Sequence, residues 1–214
     1  MDLLEDGTSR KVHGSDKHER QCTSTILDAM ETYETIVTRR SAPKATEPAP
    51  SREQITKLLE AAVRAPTHHL TQPWRFVVLA GEALTELGDA WARGVEAAGD
   101  DPDKVRDKPR RAPAIICVIE QPHLENPKVV EIEEHHAVGA AMQNILLAAH
   151  DMGLAAMVRT GPAARLREVR DHLGVKPEEL IAGFIYIGQK GEGDDERPMT
   201  RRAPAAERTE WRGP

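Results

Sequence analysis

Three short stretches concentrate the side chains that can do chemistry. The first is "TRRSAP" (38–43), where Arg39 and Arg40 supply planar, permanently charged forks and Ser41 adds a hydroxyl. Such forks give paired, charge-assisted bonds to a phosphate or to a carbonyl that becomes anionic. The same residues also suit a solvated helix end, where cations favour the macrodipole. The second is "RAPTHHLTQPWRF" (64–76), which crowds Arg64, His68 and His69 onto a turn between a helical pattern and an apolar run. That turn can bring imidazole and guanidinium over a flat ring; a capped helix end with surface histidines is the plainer alternative. The third is "MGLAAMVRTGP" (152–162), where Val158, Arg159 and Thr160 close an apolar run and turn into a helical pattern. Backbone N–H groups at such a junction can bond a ring nitrogen or carbonyl, and Arg159 can offset negative charge.

Other chemistries find less support. No G-x-G-x-x-G follows a strand pattern and no Walker loop is present, so side chains rather than a glycine cradle must hold any nucleotide. "EIEEHH" (131–136) sets carboxylates beside His135 and His136, but adjacent residues on a helix face different ways. It is not H-E-x-x-H, and a zinc-dependent hydrolase stays only as an alternative. There is no G-x-S-x-G, and neither Cys22 nor Cys117 has a neighbouring histidine, which argues against nucleophilic catalysis.

The elements that must position these stretches follow from periodicity. Ile26, Met30, Tyr33 and Val37 predict a helix over 26–39, ended by the proline-rich "SAPKATEPAPS". In "SREQITKLLEAAVRA" Ser51 and Gln54 form a capping-box pattern, and Ile55, Leu58, Leu59, Ala62 and Val63 make an apolar stripe. "FVVLAG" reads as a buried strand, "EALTELGDAWARGVEAAG" as a helix and "AIICVIE" as a second buried strand. Residues 133–152 predict a helix apolar nearly all round, hence central to a core or an interface, with Gly153 as its stop. "LAAMV" then predicts a strand, "PAARLREVRDHLG" one helix with Pro162 in its first turn, and "ELIAGFIYIG" the last strand. Four strands interleaved with helices predict an α+β or α/β domain.

The bulk properties set limits. The 214 residues suffice for one domain plus tails: a polar N-terminal tail over 1–25, a domain over 26–200 and a polar C-terminal tail over 201–214. A net charge of −6 argues against nucleic acid as the main partner. Two cysteines in dissimilar surroundings suit a reducing cytoplasm rather than a disulfide framework. No apolar run reaches the roughly 20 residues a membrane helix needs, and the N-terminus is not a secretory signal.

Taken in order, "TRRSAP", "RAPTHH" with "QPWRFVVL", the apolar helix with "GLAAMVRTG", and "IAGFIYIG" resemble the nitroreductase family of FMN enzymes, in its short bacterial subgroup. The resemblance covers about residues 28–190. It implies an α+β fold with a mixed central β-sheet flanked by helices, and a homodimer with FMN at the interface. It implies that Arg39, Arg40 and Ser41 meet the flavin phosphate and pyrimidine edge, and that Arg64 and His68 approach the same FMN from the other subunit. Val158, Arg159 and Thr160 line the ring, and Arg197 is the candidate for a C-terminal phosphate contact. The implied activity passes hydride from NADH or NADPH, through the flavin, to a small electron-poor acceptor (nitroaromatic, quinone or enone) by a ping-pong scheme. A non-catalytic flavin-storing protein of the same fold is the alternative. Many relatives have Asn in the turn before Gln-Pro-Trp, where Leu70 and Thr71 stand here, and tryptophan where Val158 stands.

Overall fold

The computed structural model describes residues 31–194 and 196–213. In chain order the regular elements are helix α1 (Thr32–Thr38), α2 (Arg52–Ala62), strand β1 (Trp74–Ala80), α3 (Glu82–Ala97), the single turn α4 (Asp103–Arg106), β2 (Ala114–Glu120), α5 (Glu131–Asp151), β3 (Leu154–Arg159), α6 (Arg167–His172) and β4 (Leu180–Gln189). The predicted tail over 1–25, with Cys22, and the first turns of the helix predicted from Ile26 lie outside the described residues.

The strands form one sheet in the order β1-β2-β4-β3. The resemblance implied a mixed sheet. Within the described residues of this chain, however, every neighbouring pair is antiparallel. β2 is buried along its whole length because helices cover both faces. Ile116 and Val118 pack with α2 and α5, whereas Ile115, Cys117 and Ile119 pack with α3 and α6. The alternation of the strand therefore divides the interior into two cores, one on each side of the sheet. Burial also pushes the Cys117 thiol up to about 12, which keeps it protonated and unreactive.

Local chemistry explains the element ends. The capping box of α2 is formed: Ser51 Oγ accepts from the Gln54 N–H, and Gln54 Oε1 accepts from the Ser51 N–H. Gly153 ends α5 at φ +72°, a conformation that favours glycine. α5 begins at Glu131, two residues before the predicted start, because Val130 is extended and acts as the N-cap. The single helix predicted from Pro162 is instead divided. A 3₁₀ turn spans Pro162–Arg165, and Leu166 is extended (ψ 130°) before α6 starts. The Leu166 side chain packs against the clusters that hold Trp91 and Val95 of α3; that tertiary packing overrides the helical propensity of the segment.

β4 carries one extra residue against β2, since Val118 pairs with Gly183 but Ile119 pairs with Ile181. The bulge at Ala182 bends the sheet near the end of β3. A Cβ at Gly183 would lie 2.9 Å from Met142 Cε and 3.3 Å from Val158 Cγ1, so the Met142 side chain would have to shift to admit one.

Candidate functional site

α1 ends at Thr38, and the chain leaves it extended, with Arg39 at φ −57° and ψ 131°. The next residues run along the sheet. The Ala42 N–H donates to the Ala156 carbonyl of β3 (3.1 Å), and Thr46 exchanges two backbone hydrogen bonds with Gln189 of β4 (2.9 and 2.8 Å). Proline at 43 disfavours helix at Ala42 and keeps this strap straight. Arg39, Arg40 and Ser41 thus line a cleft of about 440 Å³ together with Arg197, Arg202 and Gln143 of α5.

Four guanidinium groups line this cleft, and among the described residues no carboxylate does. Arg40 Nη1 donates to the Arg197 carbonyl. Arg197 Nη2 reaches the Ser41 carbonyl at 3.5 Å, and its Nη1 pairs with Asp194 at 3.2 Å. Asp194 Oδ2 also accepts from the Gly191 N–H (2.8 Å), which tightens the turn that follows β4. Arg39 is different. Its Nη1 is buried without a hydrogen-bond partner. Burial lowers its pKa, and the positive charge of Arg202 lowers it further. A donor so placed calls for an anion. Arg202 and Gln143 carried no motif; Arg202 lies in a polar tail that only the fold returns to the cleft.

Val158, Arg159 and Thr160 do not share one surface. Val158 faces α5 with the first core, whereas Arg159 has the opposite strand parity, with Ala155. Its guanidinium lies 5.2 Å from the centroid of the Tyr186 ring, and Nη2 donates to the Pro43 carbonyl at 2.8 Å. Burial pushes the Tyr186 phenol up to about 12, so the pair is a cation–π contact with a neutral ring. Arg159 therefore braces the strap that carries Ser41 and does not line the arginine cleft. Thr160 opens onto another cleft, of about 590 Å³, shared with Glu120 and Ala182.

The His68 turn is built from strain and a buried anchor. His69, Leu70 and Gln72 have φ of 49°, 54° and 50°, the left-handed region, and none is glycine. Such residues cost of order 1 kcal/mol each and persist only where neighbours over-determine them. Glu134 of α5 does this. It is fully buried, its Oε1 accepts from Thr71 Oγ1 at 2.7 Å, and its Oε2 accepts from the His123 N–H at 3.1 Å. The turn holds Leu70 out, 82 % exposed. His68 Nδ1 lies 3.4 Å from Glu133 Oε2 and lines a third cleft, of about 480 Å³, with His136. Arg64 is exposed just past the end of α2.

Within one chain the first and second stretches stay apart. Thr38 Oγ1 meets His150 at the C-terminal end of α5 (2.9 Å), whereas His68 meets Glu133 at the N-terminal end. At 1.5 Å per residue those ends are about 25 Å apart. His135 is paired with Glu120 and His136 faces the His68 cleft. Among the described residues no three His, Cys, Asp or Glu side chains converge as metal ligands, and no helix is long and apolar enough to cross a membrane.

Known proteins resemble this chain over most of its length. The sequence model of the Nitroreductase family matches residues 36–189. The chain is 37 % identical over 162 residues to "Putative NAD(P)H nitroreductase YdjA" of Escherichia coli (strain K12), covering 74 % of this chain and 88 % of that one. Among solved structures, a nitroreductase-like family protein from Bacillus cereus superposes with a TM-score of 0.74 at 25 % identity, over 85 % of this chain and 96 % of that chain. A Desulfovibrio desulfuricans structure, described as a putative nitroreductase in complex with FMN, gives 0.66 at 28 % identity, over 86 % and 98 %.

Proposed function

The chain belongs to the nitroreductase family, and on that footing we propose that it is an FMN-dependent oxidoreductase that uses NADH or NADPH to reduce small electron-poor acceptors. The observation that carries the reading is the arginine cleft: four guanidinium groups, no carboxylate among the described lining residues, and one buried Nη1 that lacks a partner. That donor set fits a phosphate monoester. Arg39, Arg40, Ser41 and Arg197 would hold the FMN phosphate and pyrimidine edge. Arg159 would fix the strap beneath them through Pro43. Val158 and the backbone at Thr160 would border the ring.

FMN, when bound, supplies the hydride chemistry in both half-reactions. The chain supplies position and field. Fixed positive charge near the pyrimidine edge favours the electron-rich form and eases acceptance of a hydride. The nicotinamide and the acceptor would use one open face in turn, which gives ping-pong kinetics.

The site is completed by a second copy of the chain. His68 meets Glu133, about 15 Å along α5 from Gln143 in the arginine cleft and about 25 Å from His150, and as the resemblance implies it would reach an FMN held there, with Arg64, from a partner. A two-fold pairing that sets two α5 helices antiparallel brings the N-terminal end of one to the C-terminal end of the other. The relief suits it: Gly139 and Gln143 are exposed near the middle of α5, Ile132 and Val130 are exposed at one end, and Tyr33, Ile36 and Val37 of α1 at the other.

The test is a visible spectrum of the purified protein, followed by anaerobic addition of each nicotinamide. The expected result is a bound flavin that bleaches with NADH or NADPH and recovers with a quinone. A bound flavin that neither nicotinamide bleaches would favour storage. No flavin binding at all would contradict the proposal.

A further inference from the structure

Glu120 is the last residue of β2, and it is 3 % exposed. An isolated carboxylate is costly there. Its neighbour is His135 of α5, whose Nδ1 lies 2.6 Å from Glu120 Oε1. The His135 side chain is more than one third exposed, so one end of the pair meets water and the other is enclosed. Glu120 also borders the cleft of about 590 Å³ at the end of β3, where Thr160, Gly161 and the bulged Ala182 stand. Burial raises the Glu120 pKa above the usual carboxylate range, and the charges of Glu131 and Glu134 raise it further, while His135 opposes them. Arg165 and Arg170 border the cleft on the side of α6, and Arg170 is committed to the carbonyls of Glu179 and Lys176. None of the residues assigned above needs this pair.

We propose that Glu120 and His135 form a proton relay that carries protons from solvent to the acceptor in the Thr160 cleft. The proposal rests on the oxidoreductase reading. Reduction of a quinone follows quinone + NAD(P)H + H⁺ → hydroquinone + NAD(P)⁺. The nicotinamide gives two electrons and one hydrogen as hydride, and the second O–H bond needs one proton from elsewhere. Glu120 gives that proton to the acceptor oxygen. The imidazolium of His135 then reprotonates the carboxylate, and water reprotonates the exposed ring. A nitro group reduced to nitroso consumes the same single proton as it releases water. Burial favours the protonated form of Glu120, in the direction a proton donor needs.

The experiment compares two acceptors on FMN-loaded protein. Ferricyanide takes one electron and no proton, whereas a benzoquinone takes both. For Glu120→Gln the ratio of quinone to ferricyanide turnover should fall at least tenfold and lose most of its pH dependence. His135→Gln should lower the ratio in the same direction, with partial recovery on adding imidazole. A readout independent of turnover is the infrared carboxyl band of Glu120, which should be absent in Glu120→Gln and shift in His135→Gln as its hydrogen-bond partner changes. An unchanged ratio, or an equal fall with both acceptors, would overturn the relay while leaving the oxidoreductase reading intact. Wild-type protein that binds FMN but passes no electrons to ferricyanide would overturn that reading and the relay with it.

Discussion

Glu179 shows how one side chain can tie distant segments together. It is buried, and its carboxylate accepts from Arg75 Nε and Nη2 (3.1 and 2.7 Å), Gln121 Nε2 (2.6 Å) and the Lys176 N–H (2.9 Å). These bonds, led by Arg75, outweigh desolvation and hold its carboxyl at about 2, below the ordinary 4.5. The folded pKa is depressed, so its stabilisation is present above about pH 4.5 and is lost as pH falls towards 2. Urea denaturation from pH 6 down to pH 3 should show a loss of order 2 kcal/mol that Glu179→Gln largely removes. Residue identity alone could not reveal this network, because its members are up to 104 positions apart. Arg39, Arg40 and Ser41 stood out by motif and charge, whereas Arg197 came only from the family resemblance; the four line one cleft. Arg159 was legible as to place but not as to direction; its shared parity with Ala155 was the available signal.

At the scale of elements, most boundaries were legible where periodicity and caps coincide. β2 spans the predicted "AIICVIE" and α2 carries its predicted capping box. The exceptions arise from contacts remote in sequence. Leu166 is drawn into α3 packing and interrupts the predicted helix. The 68–72 turn stood out for its crowd of polar and ring-bearing residues; its left-handed backbone could not be read from non-glycine residues. Glu134 supplies the missing constraint from 63 positions away. Glu134→Ala should therefore destabilise the fold by about 2–4 kcal/mol, since it leaves the Thr71 hydroxyl and the His123 N–H without their acceptor. Thr71→Val should cost less, about 1 kcal/mol, and should loosen the turn selectively. Hydrogen exchange over 67–73 is the check: protection should fall there first. Uniform loss of protection across the sheet would argue against a local anchor.

At the scale of the whole molecule, the length of α5 sets the logic. One chain meets His68 at the N-terminal end of α5 and presents the arginine cleft further along it, and exposed apolar residues stand near both: Val130 and Ile132 near the first, Tyr33, Ile36 and Val37 near the second. The near-continuous apolar character of this helix pointed to a core or an interface, but no sequence pattern could choose between them. Gly139 lies near its middle, exposed, and a Cβ added there would meet nothing within 4 Å. A large charged residue there is tolerated by the isolated chain but obstructs close approach of a second helix. Gly139→Arg should keep the far-ultraviolet spectrum, shift the sedimentation coefficient from dimer to monomer, and weaken FMN binding by at least tenfold. A variant that remains dimeric with full affinity would place the interface elsewhere.

The central claim is that the arginine cleft recognises the phosphate of a flavin nucleotide, and the most direct measurement compares FMN with riboflavin by flavin fluorescence quenching. Each charge-assisted bond to phosphate contributes about 1.5–3 kcal/mol, so wild-type protein should bind FMN at least 100-fold more tightly than riboflavin. In Arg39→Ala and Arg40→Ala that preference should shrink by tenfold or more, while riboflavin affinity changes little. Equal affinity for the two flavins in the wild-type protein would contradict the account.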